Sequence, residues 1–159
     1  MKVILLISFI FSLALEASPR RRFPIGPDLS ITPGDLCSTP TEFRYPEKIA
    51  YCKRDVNSWQ KELIFINYRK IGYSLSGERQ QYKIDHFIPL CLGGSNDLSN
   101  LWPQYYTVYE KTDLLEFYAC IALEKGKISQ SEVIDLVVAS KLDHSKIKRT
   151  LKQLKRLAR

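Results

Sequence analysis

The sequence contains little glycine and proline, 7 and 8 residues of 159, and no short-period repeat. Collagen-like and low-complexity proteins are therefore excluded. No two cysteines have the Cys-x-x-Cys spacing, so a zinc ribbon is not expected. The longest apolar run, residues 3–15, is shorter than the roughly 20 residues that a membrane-spanning helix needs.

What is present is ordinary globular composition, with 45% hydrophobic and 26% charged residues. The length corresponds to one domain with one core. Lysine and arginine number 24 against 17 aspartate and glutamate, which gives a formal net charge of +7. A charge of this sign fits a polyanionic partner, either nucleic acid or an anionic membrane surface.

The N-terminal residues have the pattern of a secretory signal peptide. A lysine precedes the apolar run, and small residues follow it, so cleavage is expected after Ala14 or Ala17. Residues 1–17 are assigned to this peptide and predict an exported protein, periplasmic or secreted; an uncleaved anchor or a buried helix is the alternative. Residues 18–33 hold three arginines and four prolines and predict an extended or flexible arm.

Export changes how the cysteines are interpreted, because oxidising compartments permit disulfides. The chain has an even number of them: Cys37, Cys52, Cys91 and Cys120. Four cysteines allow three pairings. Nearness in sequence favours Cys37 with Cys52 and Cys91 with Cys120.

Residue patterning predicts an α+β fold. Alternating β-formers predict a strand over residues 82–90, and residues 41–45 are expected to be a turn or a short strand. Apolar periodicity predicts helices over 46–68, 105–123 and 129–140, with residues 100–103 as a short link. The last of these helices should begin with Ser129 as its N-cap and Glu132 completing a capping box. One domain is expected over residues 34–143.

Residues 144–159 predict a basic amphipathic helix after that domain. Four apolar residues recur at helical spacing, and seven lysines and arginines occupy most other positions. The helix could be a solvated face over a core stripe, a phosphate-contact surface, or a membrane-surface helix. The candidate nucleic-acid contacts are Lys111, Lys148, Arg149 and Lys152.

The most informative stretch runs from residue 85 to residue 104, DHFIPLCLGGSNDLSNLWPQ. Asp85 and His86 stand side by side at a predicted strand end, where neighbouring side chains point to opposite faces and can take different roles. Gly93 and Gly94 reverse the chain, and Asn100 then precedes a helix. This is the layout of a β-hairpin followed by a helix.

Asp-His-x-Ile-Pro-Leu, Gly-Gly and Asn-Leu-Trp-Pro-Gln at this spacing, followed by Asp113 and Glu116, resemble the HNH endonucleases. The resemblance covers about residues 82–116. Within the family, it is more specific to a branch of HNH-like proteins that bacteria often export. It implies a ββα-metal (His-Me) finger embedded among helices.

The resemblance also implies residue roles. His86 matches the general base that takes a proton from the attacking water, a role that suits an imidazole near neutral pH. Asp85 matches a metal ligand, with one divalent ion, Mg²⁺ or Mn²⁺ first and Zn²⁺ or Ni²⁺ as alternatives, stabilising the scissile phosphate. Asn100 matches the residue that orients the histidine or fixes the loop.

The sequence departs from the family at one position. A second metal-binding histidine is common about 24 residues after the aspartate, and that position here is Tyr109. The ion would then be held by Asp85 with Asp113 or Glu116, which share a helix face with Tyr109. The alternative is a weak or lost metal site.

The expected function is a metal-dependent endonuclease that cleaves DNA, or RNA as well, with little sequence specificity. One rival is a catalytically inactive ββα finger that binds nucleic acid. Another is an exported, disulfide-stapled protein that binds anionic surfaces through its C-terminal helix.

Overall fold

The computed structural model describes residues 21–159, which form one small α+β domain. The predicted signal peptide, residues 1–17, and residues 18–20 of the predicted arm lie outside the described residues. In the described part, no helix is both long enough and apolar enough to cross a membrane.

The domain contains two antiparallel strand pairs and four helices. The first pair is β1 (Glu42–Arg44) with β2 (Ile49–Tyr51), and the second is β3 (Tyr82–His86) with β4 (Leu101–Tyr105). In chain order the elements are β1 (Glu42–Arg44), β2 (Ile49–Tyr51), α1 (Ser58–Lys70), β3 (Tyr82–His86), β4 (Leu101–Tyr105), α2 (Tyr106–Glu124), α3 (Gln130–Leu142) and α4 (Ile147–Leu157).

One sequence prediction is wrong over its first part, and another is wrong in its element type. The helix predicted over 46–68 begins only at Ser58, because Asn57 caps it and β2 pairs with β1 upstream. The predicted link over 100–103 is largely strand β4, in which Pro103 pairs with Ile84. Both strands of a two-stranded sheet are edge strands, which is where proline is tolerated.

The predicted arm is only partly as expected. Residues 21–33 contain no helix, and some of them pack on the domain. Thr32 is fully buried and its hydroxyl lies 2.9 Å from that of Tyr68, while the ring of Phe23 stacks on that of Tyr105. These contacts hold the segment against the domain through Phe23 and Thr32, while side chains such as Ile25 and Leu29 stay exposed.

Two apolar clusters hold the domain together. The first, called the hairpin core, packs α1 against β3 and β4 and includes Phe65, Ile84 and Trp102. The second, the helical core, joins α2, α3 and α4 and includes Leu115 and Val137. Strand β3 contributes Tyr82 and Ile84 to the hairpin core, while its Asp85 side chain faces Lys141 on α3.

The predicted capping box of α3 is confirmed. The side chain of Ser129 accepts from the backbone N–H of Glu132, and the Glu132 carboxylate accepts from the Ser129 N–H. These bonds fix the start of α3 and therefore the position at which its last turn meets β3.

Both disulfides pair as nearness in sequence favoured. Cys37 is bonded to Cys52, and Cys91 to Cys120. The first joins the segment before β1 to the end of β2, and the second ties the turn after β3 to α2. Two disulfides in a chain of this size are typical of proteins that fold in oxidising compartments.

Candidate functional site

The end of β3 separates Asp85 and His86 onto opposite faces, as the strand pattern predicted. Both are buried, at 7% and 3% exposure. His86 faces the side occupied by Asn96 and Arg54, whereas Asp85 faces Lys141 near the end of α3. One strand end thus supports two different polar sites.

The protonation state of His86 follows from its neighbours. Arg54 Nη1 lies 3.1 Å from His86 Nδ1 and can only donate, so Nδ1 accepts and carries no proton. The proton is therefore on Nε2, which donates to Asn96 Oδ1 at 3.0 Å. The amide of Asn96 is oriented independently, because its Nδ2 donates to the Lys53 carbonyl at 2.8 Å.

The surroundings of His86 keep it neutral. Burial lowers the pKa of His86 to about 4, and the hydrogen bond that His86 donates to Asn96 opposes this shift, while the Arg54 guanidinium adds to it. A second proton would have to enter at Nδ1, directly against a positive charge. His86 therefore has one lone pair, on Nδ1, and that lone pair faces Arg54.

The carboxylate of Asp85 belongs to a buried ionic cluster centred on Lys141. The Lys141 ammonium lies 3.2 Å from Asp85 Oδ2 and 2.6 Å from Glu116 Oε1, and it donates to the His86 carbonyl at 2.6 Å. Lys141 has no exposed surface. A buried ammonium is tolerated only when its charge is matched, as it is here.

The pKa values of this cluster reflect burial and pairing together. Burial raises the pKa of Glu116 to about 7, and the neighbouring Asp85 charge adds to this against the opposing Lys141. Burial also acts to raise the pKa of Asp85, but Lys141 and Lys83 outweigh it and the net direction is downward. Burial acts to lower the pKa of Lys141, but Glu116 and Asp85 raise it overall.

Asp113 and Tyr109 lie beside this cluster rather than within it. Asp113 is exposed and pairs with Lys83 at 2.5 Å. The Lys83 ammonium also lies 3.7 Å from Asp85 Oδ1 and 4.9 Å from the centre of the Tyr109 ring. The position at which the resemblance leads one to expect a second histidine is thus occupied by an aromatic ring that lies near a lysine.

A divalent ion does not fit this arrangement of side chains. Such an ion requires oxygen ligands that are free to face it, yet Asp85 and Glu116 face Lys141 and Asp113 faces Lys83. Across residues 21–159, no three side chains of His, Cys, Asp or Glu are placed to share an ion.

Asn100 fixes the loop that follows His86. Its buried side chain accepts from the Ile88 N–H at 2.8 Å and donates to the carbonyls of Ile88 and Ser95 at 3.0 and 2.9 Å. Gly94 is needed beside it, because an added Cβ would lie 1.8 Å from the Ile88 oxygen. Of the two roles implied for Asn100, these contacts correspond to fixing the loop.

The predicted nucleic-acid contacts lie on the exposed faces of two helices. Lys111 is on α2, and the rest are on α4: Lys148, Arg149 and Lys152. Helix α4 packs on α2 and α3 through Thr150 and Leu154, which leaves its basic residues in solvent around a hollow of ≈ 620 Å³. The structure does not bring these cations to His86.

Three residues of the site were missed by sequence reasoning. Asn96 stands inside the recognised motif, so its turn position was a usable signal. Arg54 and Lys141 are 32 and 55 residues from His86 in sequence, and no local pattern connects them to it. Only the tertiary fold brings them together.

An open cleft gives access to the Arg54 side of His86. It measures ≈ 440 Å³ and is lined by Lys53, Arg54, Asp55 and Asn96, among others. A neighbouring cleft of ≈ 450 Å³ shares Asp55 and Asn96 and is bordered by Trp59, whose side chain is 67% exposed. A ligand from solvent can therefore reach Arg54 without the unfolding of any helix or strand.

No family model matches the chain, and no curated protein or solved structure matches it either.

Proposed function

We propose that this chain is an exported HNH-type nuclease that hydrolyses phosphodiester bonds of nucleic acid, with His86 as the general base. One observation carries the proposal. His86 is fixed in its Nε2–H form by Asn96, and its one lone pair, on Nδ1, is directed to an exposed arginine at an open cleft. A neutral, oriented imidazole is the state that a general base needs.

The arrangement of elements supports the same proposal. The antiparallel hairpin β3–β4 is followed directly by α2, which is the order of a ββα finger. The Asp-His pair stands at the end of the first strand, and the loop held by Asn100 joins the two strands. The order of elements supports the proposal, whereas the metal roles implied for Asp85, Asp113 and Glu116 receive no such support.

The cleft offers groups that suit a phosphodiester. Arg54 donates to the Ile84 carbonyl and to His86, and its planar guanidinium can instead hold two phosphate oxygens. Lys53 lies beside it, and Trp59 offers an exposed ring on which a base can stack. The net charge of +7 favours a polyanion at longer range.

The proposed step begins when Arg54 turns from His86 to the scissile phosphate. The Nδ1 lone pair is then free, and it accepts a proton from a water molecule. The water oxygen forms a new bond to phosphorus, while the bond from phosphorus to the leaving oxygen breaks. The leaving oxygen takes a proton from solvent, and Arg54 stabilises the added negative charge on the phosphate.

Plasmid nicking tests the proposal. Oxidised mature protein is incubated with supercoiled DNA in Mg²⁺, in Mn²⁺ and in EDTA, beside His86→Ala and a His144→Gln control that alters the chain's other histidine. We expect His86→Ala to lower the nicking rate about 10²- to 10⁴-fold, the typical contribution of a general base. The His144→Gln control should retain the wild-type rate.

Nicking at the wild-type rate by His86→Ala would overturn the proposal. Wild-type nicking that persists in EDTA would agree with the absence of a metal step. Nicking that requires Mg²⁺ or Mn²⁺ would retain His86 as the base but would require an ion outside the cluster of Asp85 and Glu116.

A second candidate is a catalytically inactive ββα finger that only binds nucleic acid. The observation in its favour is that Lys141 neutralises Asp85 and Glu116, while both ring nitrogens of His86 already have partners. It predicts DNA binding, from α4 and the cleft, without cleavage in any ion. The third reading, binding to anionic lipid through α4, predicts vesicle binding that is lost when residues 145–159 are deleted.

The proposed location is the periplasm or the outside of the cell. The supporting observations are the N-terminal sequence pattern and the two disulfides.

A further inference from the structure

The cluster around Lys141 resembles a cation-binding cage made by protein oxygens. Two carboxylates, of Asp85 and Glu116, and one backbone carbonyl, of His86, surround the ammonium within 3.2 Å. Carboxylate and carbonyl oxygens are also the ligands that hard divalent cations prefer. An ammonium and a divalent ion would therefore compete for the same oxygens.

We infer that Lys141 is the resident cation of this cage and takes the place of a divalent metal ion. The ammonium is buried and has three oxygens within 3.2 Å: it donates hydrogen bonds to Asp85 Oδ2 and to the His86 carbonyl, and it forms an ion pair with Glu116 Oε1. A divalent ion added beside it would meet a strong like-charge repulsion in a region of low dielectric. The inference concerns this chain's own charge balance and holds whether or not the chain cleaves nucleic acid.

Lys141 also acts as a positioning residue, because it holds the end of strand β3 in place. Its bond to the His86 carbonyl holds the backbone of the residue whose side chain faces the cleft, and its pairing with Asp85 holds the preceding side chain. Because Lys141 is on α3 and Glu116 is on α2, the ammonium also ties β3 to both helices. The strand end is thus held in position by an internal charge.

Replacement of Lys141 by methionine should convert the cage into a metal site. Methionine extends as far as the Cε position of lysine but has no ammonium, so it removes the cation that lies between the carboxylates of Asp85 and Glu116. We expect Mn²⁺ to bind Lys141→Met about tenfold or more tightly than wild type, and to raise its thermal midpoint accordingly. Free Mn²⁺ is followed by electron paramagnetic resonance during titration of the folded protein.

Lys83→Met is the matched control. Lys83 is the other lysine that pairs with Asp85, but it is one-third exposed and lies 3.7 Å away. Its removal leaves Lys141 in the cage, so no gain in Mn²⁺ affinity is expected. An equal gain in both variants would contradict the special position of Lys141.

A second measurement uses the wild type, so the inference stays testable even where Lys141→Met fails to fold. Wild-type protein is titrated with Mn²⁺ beside Glu116→Gln. We expect the wild type to show no saturable Mn²⁺ binding that depends on Glu116, so the Mn²⁺ titrations of wild type and Glu116→Gln should not differ. Wild-type binding that disappears in Glu116→Gln would show a metal ion sharing the cage with Lys141 and would overturn the inference, whatever the nicking assay gives.

Discussion

Reduction of the two disulfides is expected to unfold the domain at physiological temperature. The bonds close sequence separations of 15 and 29 residues. Loop-closure entropy of the unfolded chain gives about 3 and 3.5 kcal/mol for loops of these lengths. Their joint loss is comparable with the about 5–15 kcal/mol by which whole domains are stable.

Loss of the disulfides should disturb the candidate site first, because each disulfide supports a segment beside His86. Cys37 donates its N–H to the Gly93 carbonyl at 2.8 Å, so its bond to Cys52 holds the Gly-Gly turn against the segment that contains Arg54. Cys91 lies in the turn that follows His86, and its bond to Cys120 fixes that turn on α2.

Two double variants separate the contributions. Unfolding by urea is followed by circular dichroism for the wild type, for Cys37→Ser with Cys52→Ser, and for Cys91→Ser with Cys120→Ser. Each pair should lower the free energy of unfolding by about 2–4 kcal/mol, and reductant should then have a smaller effect on it than on wild type. A loss below about 1 kcal/mol for both pairs would contradict this account of what holds the site.

The second large effect concerns Glu116, whose replacement by glutamine should change how stability depends on pH. In the folded protein its pKa is raised to about 7 from 4.5 by burial and by Asp85. Between these two values the folded state binds more protons than the unfolded state, so Glu116 makes stability fall as pH rises. Its contribution is fully present below 4.5 and is lost above about 7.

Glu116→Gln removes this dependence. Relative to the variant, wild type should lose about 3 kcal/mol of stability between pH 4.5 and pH 8, since each pKa unit corresponds to about 1.4 kcal/mol. His86 works in the opposite direction, because its lowered pKa makes the folded state bind fewer protons and stability falls on acidification from 6.5 toward 4. Glu116→Gln should therefore be more sensitive to acid than wild type.

Urea unfolding from pH 4.5 to pH 8 provides the comparison. Glu110→Gln, which removes an exposed carboxylate from the same helix, serves as the control for helix charge. A constant difference between wild type and Glu116→Gln across this range would mean that Lys141 keeps Glu116 ionised throughout, against the direction argued from burial.

Local patterns were sufficient for features that neighbouring residues decide. The capping box at Ser129 and Glu132, the opposite faces of Asp85 and His86, and the pairing of near cysteines all depend on short sequence separations. Each of these features is fixed by local backbone geometry or by the closure of a short loop, so the rest of the fold does not alter it.

Features decided by tertiary packing were missed. A lysine near the end of an amphipathic helix predicts a solvated charge, and nothing near Lys141 in sequence indicates that Asp85 and Glu116 will surround it. Likewise, the apolar side chain of Ile49 suits either a helix or a strand. Only the pairing of Ile49 with Arg44 shows that it belongs to strand β2. The packed segment 21–33 depends on aromatic partners from later in the chain, such as Tyr105.

The most direct test of the central claim is ¹⁵N NMR of the histidine rings across a pH titration. The chain has two histidines, so His144→Gln assigns both sets of signals. The account predicts that His86 remains a neutral Nε2–H imidazole at neutral pH and protonates only as pH approaches about 4, its folded pKa. Titration near the ordinary 6.5, with the proton shared between both nitrogens, would contradict the fixed, neutral base on which the proposed chemistry depends.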